Sequence, residues 1–327
     1  FTGVDEEAVI PLETVSSIYK VPQILQNYHL DAIISQKLKI KAVKKNNRSW
    51  LRFIQKIDSP KKRKVKIGLV GKYMGMKDTY FSVIESLKIA ACWSRLDLQI
   101  GWIDAENLEK DPEKISQIMN EWDGILVPGG FGKRGVEGKI QAIEYARKKK
   151  IPFLGLCFGL QLATVEFARN VAKLKDAHTT EVNPKNTHPV IHIMSEQEKK
   201  LLEQNYGGSM RLGAYPCKLA PGTKSYKAYK NSSPHIIPTT LIQKRKNEIV
   251  ISERHRHRYE LNNKYRDILE KKGLVIAGTS PDNKLVEIIE LKNHPFFVAT
   301  QFHPEFTSRP LHPHPLFMEF LKAGLKK

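Results

Sequence analysis

Gly155-Leu156-Cys157-Phe158-Gly159 sets a thiol between two glycines, where an apolar run, IPFLGL, gives way to a helical pattern, LQLATVEFARNVA. A sharp strand-to-helix turn of this kind lifts its central side chain off the sheet and strains the backbone beneath it. The flanking positions must be small because the turn folds them against neighbouring chain. The thiol then stands at a helix N-terminus, whose positive end favours an anion. A buried cysteine between packing glycines would satisfy the same five residues. The pattern becomes nucleophilic chemistry only with a base and an oxyanion site within reach.

Both have candidates. VATQFHPE (298–305) closes another apolar run. His303 and Glu305 are two apart, so on extended backbone they point the same way, and Pro304 favours that extension. A carboxylate can then orient an imidazole that takes the thiol proton. A structural histidine at a strand end is the alternative for this segment alone. VPGGFG (127–132) ends a further run. Its glycine amides, with that of Phe158, could approach a tetrahedral intermediate, although P-G-G by itself reads as a turn. All three segments fall at the carboxyl ends of predicted strands, the edge where parallel sheets place ligands.

The elements that must hold them are legible from residue 64 onward. KVKIGLVGK, LQIGWIDA, GILVPGG and IPFLGL read as strands, each followed by a helical pattern. Units of about 30 residues predict an α/β fold, doubly wound, with a mostly parallel central sheet and helices on both faces. LVIAGTS, LVEIIEL and FFVATQFHP add strands, and PHPLFMEFLKAG a closing helix. Residues 1–57 are helix-like, with Val21, Ile24, Leu25 and Tyr28 on one period, and DSPKKRK (58–64) reads as a basic linker before a domain at 65–327. Residues 173–247 look irregular, and 218–247 reads as a surface insertion.

Composition narrows the setting. Lys and Arg outnumber Asp and Glu by 54 to 34, a net charge of +20. Such an excess attracts anions. Much of it lies in residues 37–66, read as a solvated helix and linker; no groove-reading motif accompanies it, so nucleic acid is not the expected partner. Cys92, Cys157 and Cys217 form no C-x-x-C pair, which fits a reducing cytoplasm. No run of about 18 apolar residues is present, so no membrane span is expected. The chain opens on Phe1 without a signal segment and reads as a cut through a longer protein. His312-Pro313-His314-Pro315 reads as a helix lead-in, and no metal is expected.

In this order, G-x-C-x-G, PGGFG and H-P-E resemble the class I glutamine amidotransferase family. VSSIYKVP (15–22), GGFGKRG (129–135), TTE (179–181), GSMRLG (208–213), RHRHRYE (254–260) and FHPEFTSRP (302–310) resemble, more narrowly, the CTP synthase family, whose ammonia-ligase half is nearly absent here. The resemblance implies that Cys157 attacks the glutamine amide, His303 shuttles its proton and Glu305 orients His303. It implies that the amides of Gly130 and Phe158 hold the oxyanion, and that Phe131 and Gln161 line the glutamine pocket. Glu181 would take the α-amino group and Arg258 the α-carboxylate. Arg134 and Arg211 match positions linked to a GTP response. Position 158 is Phe where the family has Leu, a change its backbone role tolerates.

The same resemblance implies no cofactor in this domain, ATP and Mg in the absent ligase domain, GTP as an allosteric activator, and a homotetramer when full length. The ligase domain would be the partner that receives ammonia for converting UTP to CTP; no G-x-x-x-x-G-K-[ST] loop is present to do that work here. Another class I amidotransferase or a γ-glutamyl hydrolase is the nearest enzyme alternative. A silent basic α/β module, binding nucleic acid or an acidic partner, is the alternative from another class.

Overall fold

The computed structural model describes residues 3–41, 46–72, 75–193, 210–232, 241–245 and 248–325. Gly208 and Ser209 of the GSMRLG motif, residues 233–240 and 246–247 of the expected insertion, and residues 42–45 of the basic stretch lie outside them.

The chain divides into two compact units, Phe1–Pro60 and Lys61–Lys327. The first is helical: α1 (Val21–Asn27), α2 (Leu30–Lys37) and α3 (Arg48–Asp58). Its centre is aromatic. Tyr19 meets Phe53 at 5.2 Å between ring centres, and the Trp50 indole donates to the Tyr19 carbonyl at 3.0 Å.

The second unit is built on one large sheet. Its strands are β1 (Arg63–Gly71), β2 (Leu96–Asp104), β3 (Gly124–Val127), β4 (Phe153–Leu156), β7 (Arg211–Leu219), β8 (Leu241–Arg245), β9 (Glu248–His257), β11 (Leu274–Thr279), β12 (Val286–Leu291) and β13 (Phe297–Thr300). The order is β2-β1-β3-β4-β13-β12-β11-β7-β9-β8. From β2 to β13 all neighbours are parallel; from β13 to β8 they are antiparallel. A small second sheet pairs β5 (Ala177–Thr179), β6 (His188–Ile193) and β10 (Tyr259–Leu261).

Side chains alternate across the parallel strands as period two requires. Ile125, Val127 and Phe153 face one core with α7 (Val136–Lys149) and α8 (Phe158–Asn170). Leu126, Leu154 and Leu156 face the other, with α4 (Phe81–Ser94) and α11 (Pro315–Gly324). Strand order turns back at β1, which lies between β2 and β3, so the chain ends leaving β1, β3, β4 and β13 crowd one sheet edge.

The doubly wound parallel sheet is as expected; the antiparallel half is not. Residues 173–247 are not irregular throughout. They contain the long strand β7, and within 218–247 the helix α9 (Lys224–Lys230) and β8. The helical pattern after β2 is broken into α5 (Ala105–Lys110), a 3-10 turn and α6 (Ile115–Met119). The remaining helix is α10 (Arg266–Lys271). Among the described residues, no helix is long and apolar enough to cross a membrane.

Candidate active site

Cys157 occupies the elbow between β4 and α8 with φ 51° and ψ −99°, a region L-residues avoid. Its neighbours show why glycine is required. A Cβ on Gly159 would lie 2.4 Å from the Val127 carbonyl oxygen, and one on Gly155 would lie 2.9 Å from the Gly159 backbone. Backbone cannot yield as a side-chain tip can. The elbow is tied down by the Cys157 amide donating to the Thr300 carbonyl at 2.7 Å, and by the Leu160 amide donating to the Cys157 carbonyl at 3.0 Å.

β13 delivers His303, the expected base. The His303 amide donates to the Arg254 carbonyl at 2.8 Å, its Nδ1 meets Glu305 Oε1 at 2.7 Å, and its ring stacks on Phe306. Nε2 is buried and makes no hydrogen bond of ordinary geometry among the described residues. Burial alone would discharge this ring. The charges of Cys157 and Glu305 outweigh burial and push it up to about 11.

Gly129 shows how closely His303 and Cys157 are set. A Cβ there would fall 2.8 Å from His303 Cε1 and 3.6 Å from Cys157 Cβ. The ring cannot simply retreat, being held by Glu305 and Phe306. In Gly129→Ala the imidazole is displaced, and alkylation of Cys157 by iodoacetamide at neutral pH slows by about 10²-fold. The thermal midpoint should shift by only a few degrees; an unchanged alkylation rate would mean the ring does not serve the thiol.

Around this pair lies a cleft of about 590 Å³. Gly130, Phe131, Cys157, Gln161, Glu181, Arg258, His303 and Glu305 all line it, although they come from five separate segments. As the first residue of α8, Phe158 offers an amide with no helical acceptor, while its ring is buried. Gln161 is buried, its Nε2 donates to the Tyr259 carbonyl at 3.1 Å, and its Oε1 has no partner among the described residues. Glu181 accepts from the Gly132 amide at 2.8 Å. Burial raises its pKa, against the pull of Lys72 and Arg258.

Two of the expected residues stand apart. Arg134 is half exposed, pairs with Glu106 at 3.3 Å and donates to the Lys72 carbonyl. Arg211 lies deeper. It is buried, with Nη1 on Glu260 and Nη2 on Glu287, each at 2.9 Å, and its guanidinium lies over the Tyr215 ring. Both ends of the guanidinium are taken by carboxylates. The RHRHR strand splits by face as alternation demands: Arg254 and Arg256 are exposed, while His255 and His257 are buried and hydrogen-bonded to each other at 2.8 Å. His314 caps α11 and joins Tyr229 and Glu253.

Sequence reasoning missed three residues of the cleft's frame. Gln301 points Nε2 at Cys157 Sγ, 3.8 Å away. Lys72 donates to the Phe131 carbonyl and so braces the glycine loop. Lys139 lies buried behind that loop. Gln301 and Lys72 each follow a strand at the same carboxyl edge, which was a usable signal; nothing local marked Lys139.

Residues 76–323 match the family model described as glutamine amidotransferase class-I. The CTP synthase of Carboxydothermus hydrogenoformans is 51% identical over 326 residues, covering 100% of this chain and 57% of that protein. That of Geobacillus kaustophilus is 47% identical over 327 residues, with the same coverage. The chain therefore spans a little over half the length of the curated relatives it matches. Among solved structures, the glutaminase domain of Trypanosoma brucei CTPS with bound acivicin superposes with a TM-score of 0.71 at 36% identity, covering 80% of this chain and 94% of that one.

Proposed function

The chain belongs to the class I glutamine amidotransferase family, and on that premise we propose that it hydrolyses glutamine to glutamate and ammonia through a thioester on Cys157. Sγ attacks the side-chain amide carbon, and the carbonyl pair moves to oxygen, where the Gly130 and Phe158 amides receive it. His303, oriented by Glu305, takes the Cys157 thiol proton and gives it to the leaving nitrogen, and ammonia departs. Water, deprotonated by His303, then cleaves the thioester and releases glutamate. Splitting one hard hydrolysis into two acyl transfers is what the covalent step provides.

The observation that carries this reading is the convergence of the thiol, the His303–Glu305 pair and the glycine amides on one cleft. A silent basic scaffold would have no use for the strained backbone at Cys157. The test is ammonia release from glutamine by the chain, with mass spectrometry of the residue modified by acivicin. An adduct on Cys157 supports the reading; absence of both turnover and adduct sinks it.

Substrate selection rests on the far end of the cleft. Glu181 receives the α-ammonium and Arg258 the α-carboxylate, a fork suited to a guanidinium. Phe131 covers the chain, and Gln161 Oε1, unpartnered among the described residues, offers an acceptor. In Glu181→Gln, KM rises by about 10- to 100-fold with kcat little changed. Because burial lifts the Glu181 pKa above its ordinary 4.5, the parent's KM should climb on acidification sooner than for an exposed glutamate. The Gln variant should lack that acid limb; a variant keeping it would assign the limb elsewhere.

In a longer polypeptide, the ammonia would pass to a ligase domain that uses ATP and Mg to convert UTP to CTP, in a cytoplasmic homotetramer without a membrane part. Residues 1–57 would be the helical tail of that domain and 58–64 the joint. GTP stimulation would act through Arg134, which is exposed on the glycine loop, and Arg211 would influence it only from inside the fold.

A further inference from the structure

One buried cation beside the cleft takes no part in these steps. Lys139 closes the first turn of α7 and is 1% exposed. Its Nζ lies 3.6 Å from where a Cβ on Gly130 would be, and 5.5 Å from the centre of the Phe158 ring. Those two residues carry the amides assigned to the oxyanion. Among the described residues Lys139 makes no ion pair. Two charges act on it: Lys72 at the end of β1 repels it, and Glu109 on α5 attracts it. Glu109 is itself engaged, accepting from the Glu137 and Gly138 amides at 2.8 and 3.3 Å. Burial first, and Lys72 second, draw the Lys139 pKa down to about 7.

An unpaired ammonium in a protein interior is a liability that an apolar side chain of similar length would remove. A cation held there gains a partner when negative charge forms nearby. The proposed reaction forms it twice, once in each tetrahedral intermediate.

Resting on the amidotransferase reading, we propose that Lys139 is a positioning residue whose buried ammonium, set behind Gly130 and Phe158, strengthens the hold of their amides on the oxyanion. It touches neither substrate nor Cys157. When Sγ bonds to the amide carbon, the displaced electron pair resides on oxygen until ammonia leaves. During that interval the negative charge favours the ammonium form of Lys139, which acts on it from a buried position with little screening.

The test compares the parent chain with Lys139→Met, which keeps most of the volume and removes the charge. Glutamine turnover, iodoacetamide alkylation of Cys157 and the thermal midpoint are measured on both. The expected result is a kcat about tenfold lower, smaller than the 10²–10³ of losing a direct oxyanion donor, with KM within about twofold. Alkylation by iodoacetamide should be unchanged, because displacement of iodide forms no oxyanion. The midpoint should hold or rise, since an uncompensated charge has gone. Unchanged kcat, a loss confined to KM, equal slowing of alkylation, or collapse of the fold would each overturn the proposal. If the parent itself neither turns over glutamine nor is labelled, the amidotransferase reading fails, and that result is separate from any difference between the two chains.

Discussion

Cys157→Ser should stop glutamine hydrolysis, with a loss of about 10⁴-fold or more, while the chain stays folded. The substitution changes one atom and leaves the elbow glycines in place. What it removes is the acidity the site is built around. His303 owes its raised pKa partly to the charge at residue 157. A serine hydroxyl supplies no such charge, so the imidazole would face a far weaker acid across the same gap. The acivicin adduct should vanish with the activity, and the thermal midpoint should stay within a few degrees. Turnover within about tenfold of the parent would place the nucleophile elsewhere.

Arg211→Ala should cost about 3–5 kcal/mol of stability, the largest structural effect expected of a single side chain here. On a domain of this size that is a fall of roughly 10 °C in the midpoint. The reason is arithmetic of charge. One guanidinium serves two buried carboxylates, Glu260 and Glu287, so its removal leaves both uncompensated. Burial already raises both, Glu260 to about 8. A raised carboxylate means the folded state binds protons the unfolded chain releases, so the parent's stability falls as pH rises from about 4.5 to about 8. Without Arg211 the proton is held to still higher pH, and the decline continues. The gap in midpoint between parent and variant should therefore be wider at pH 9 than at pH 6; a constant gap would show that the carboxylates do not depend on Arg211.

The same triplet explains what sequence reading could and could not see. The elbow at Cys157 and the His303–Glu305 pair were legible because their physics is local: a turn that needs glycine, a two-residue step on extended chain. The parallel strands were legible because both faces are covered and the runs are apolar throughout. β7 and β9 were not. Pro216 and Gly213 interrupt one, and Glu253, His255 and His257 occupy buried positions of the other. Such residues read as surface until their partners are known. Arg211 pairs with Glu260 and Glu287, 49 and 76 positions away, and Glu253 is satisfied by Tyr229, Thr307 and His314 from three further segments. Lys139 was hidden for the same reason, since its place behind Gly130 follows from how α7 packs.

The contact between Glu181 and the Gly132 amide carries a consequence for control. On the proposed reading, a substrate ammonium arriving at Glu181 would find one carboxylate oxygen already committed to the glycine loop. Loop position and substrate affinity would then draw on a single group and be linked. Any molecule that shifts this loop would alter how tightly the amino acid is held, and the amino acid would alter the grip on that molecule by an equal factor.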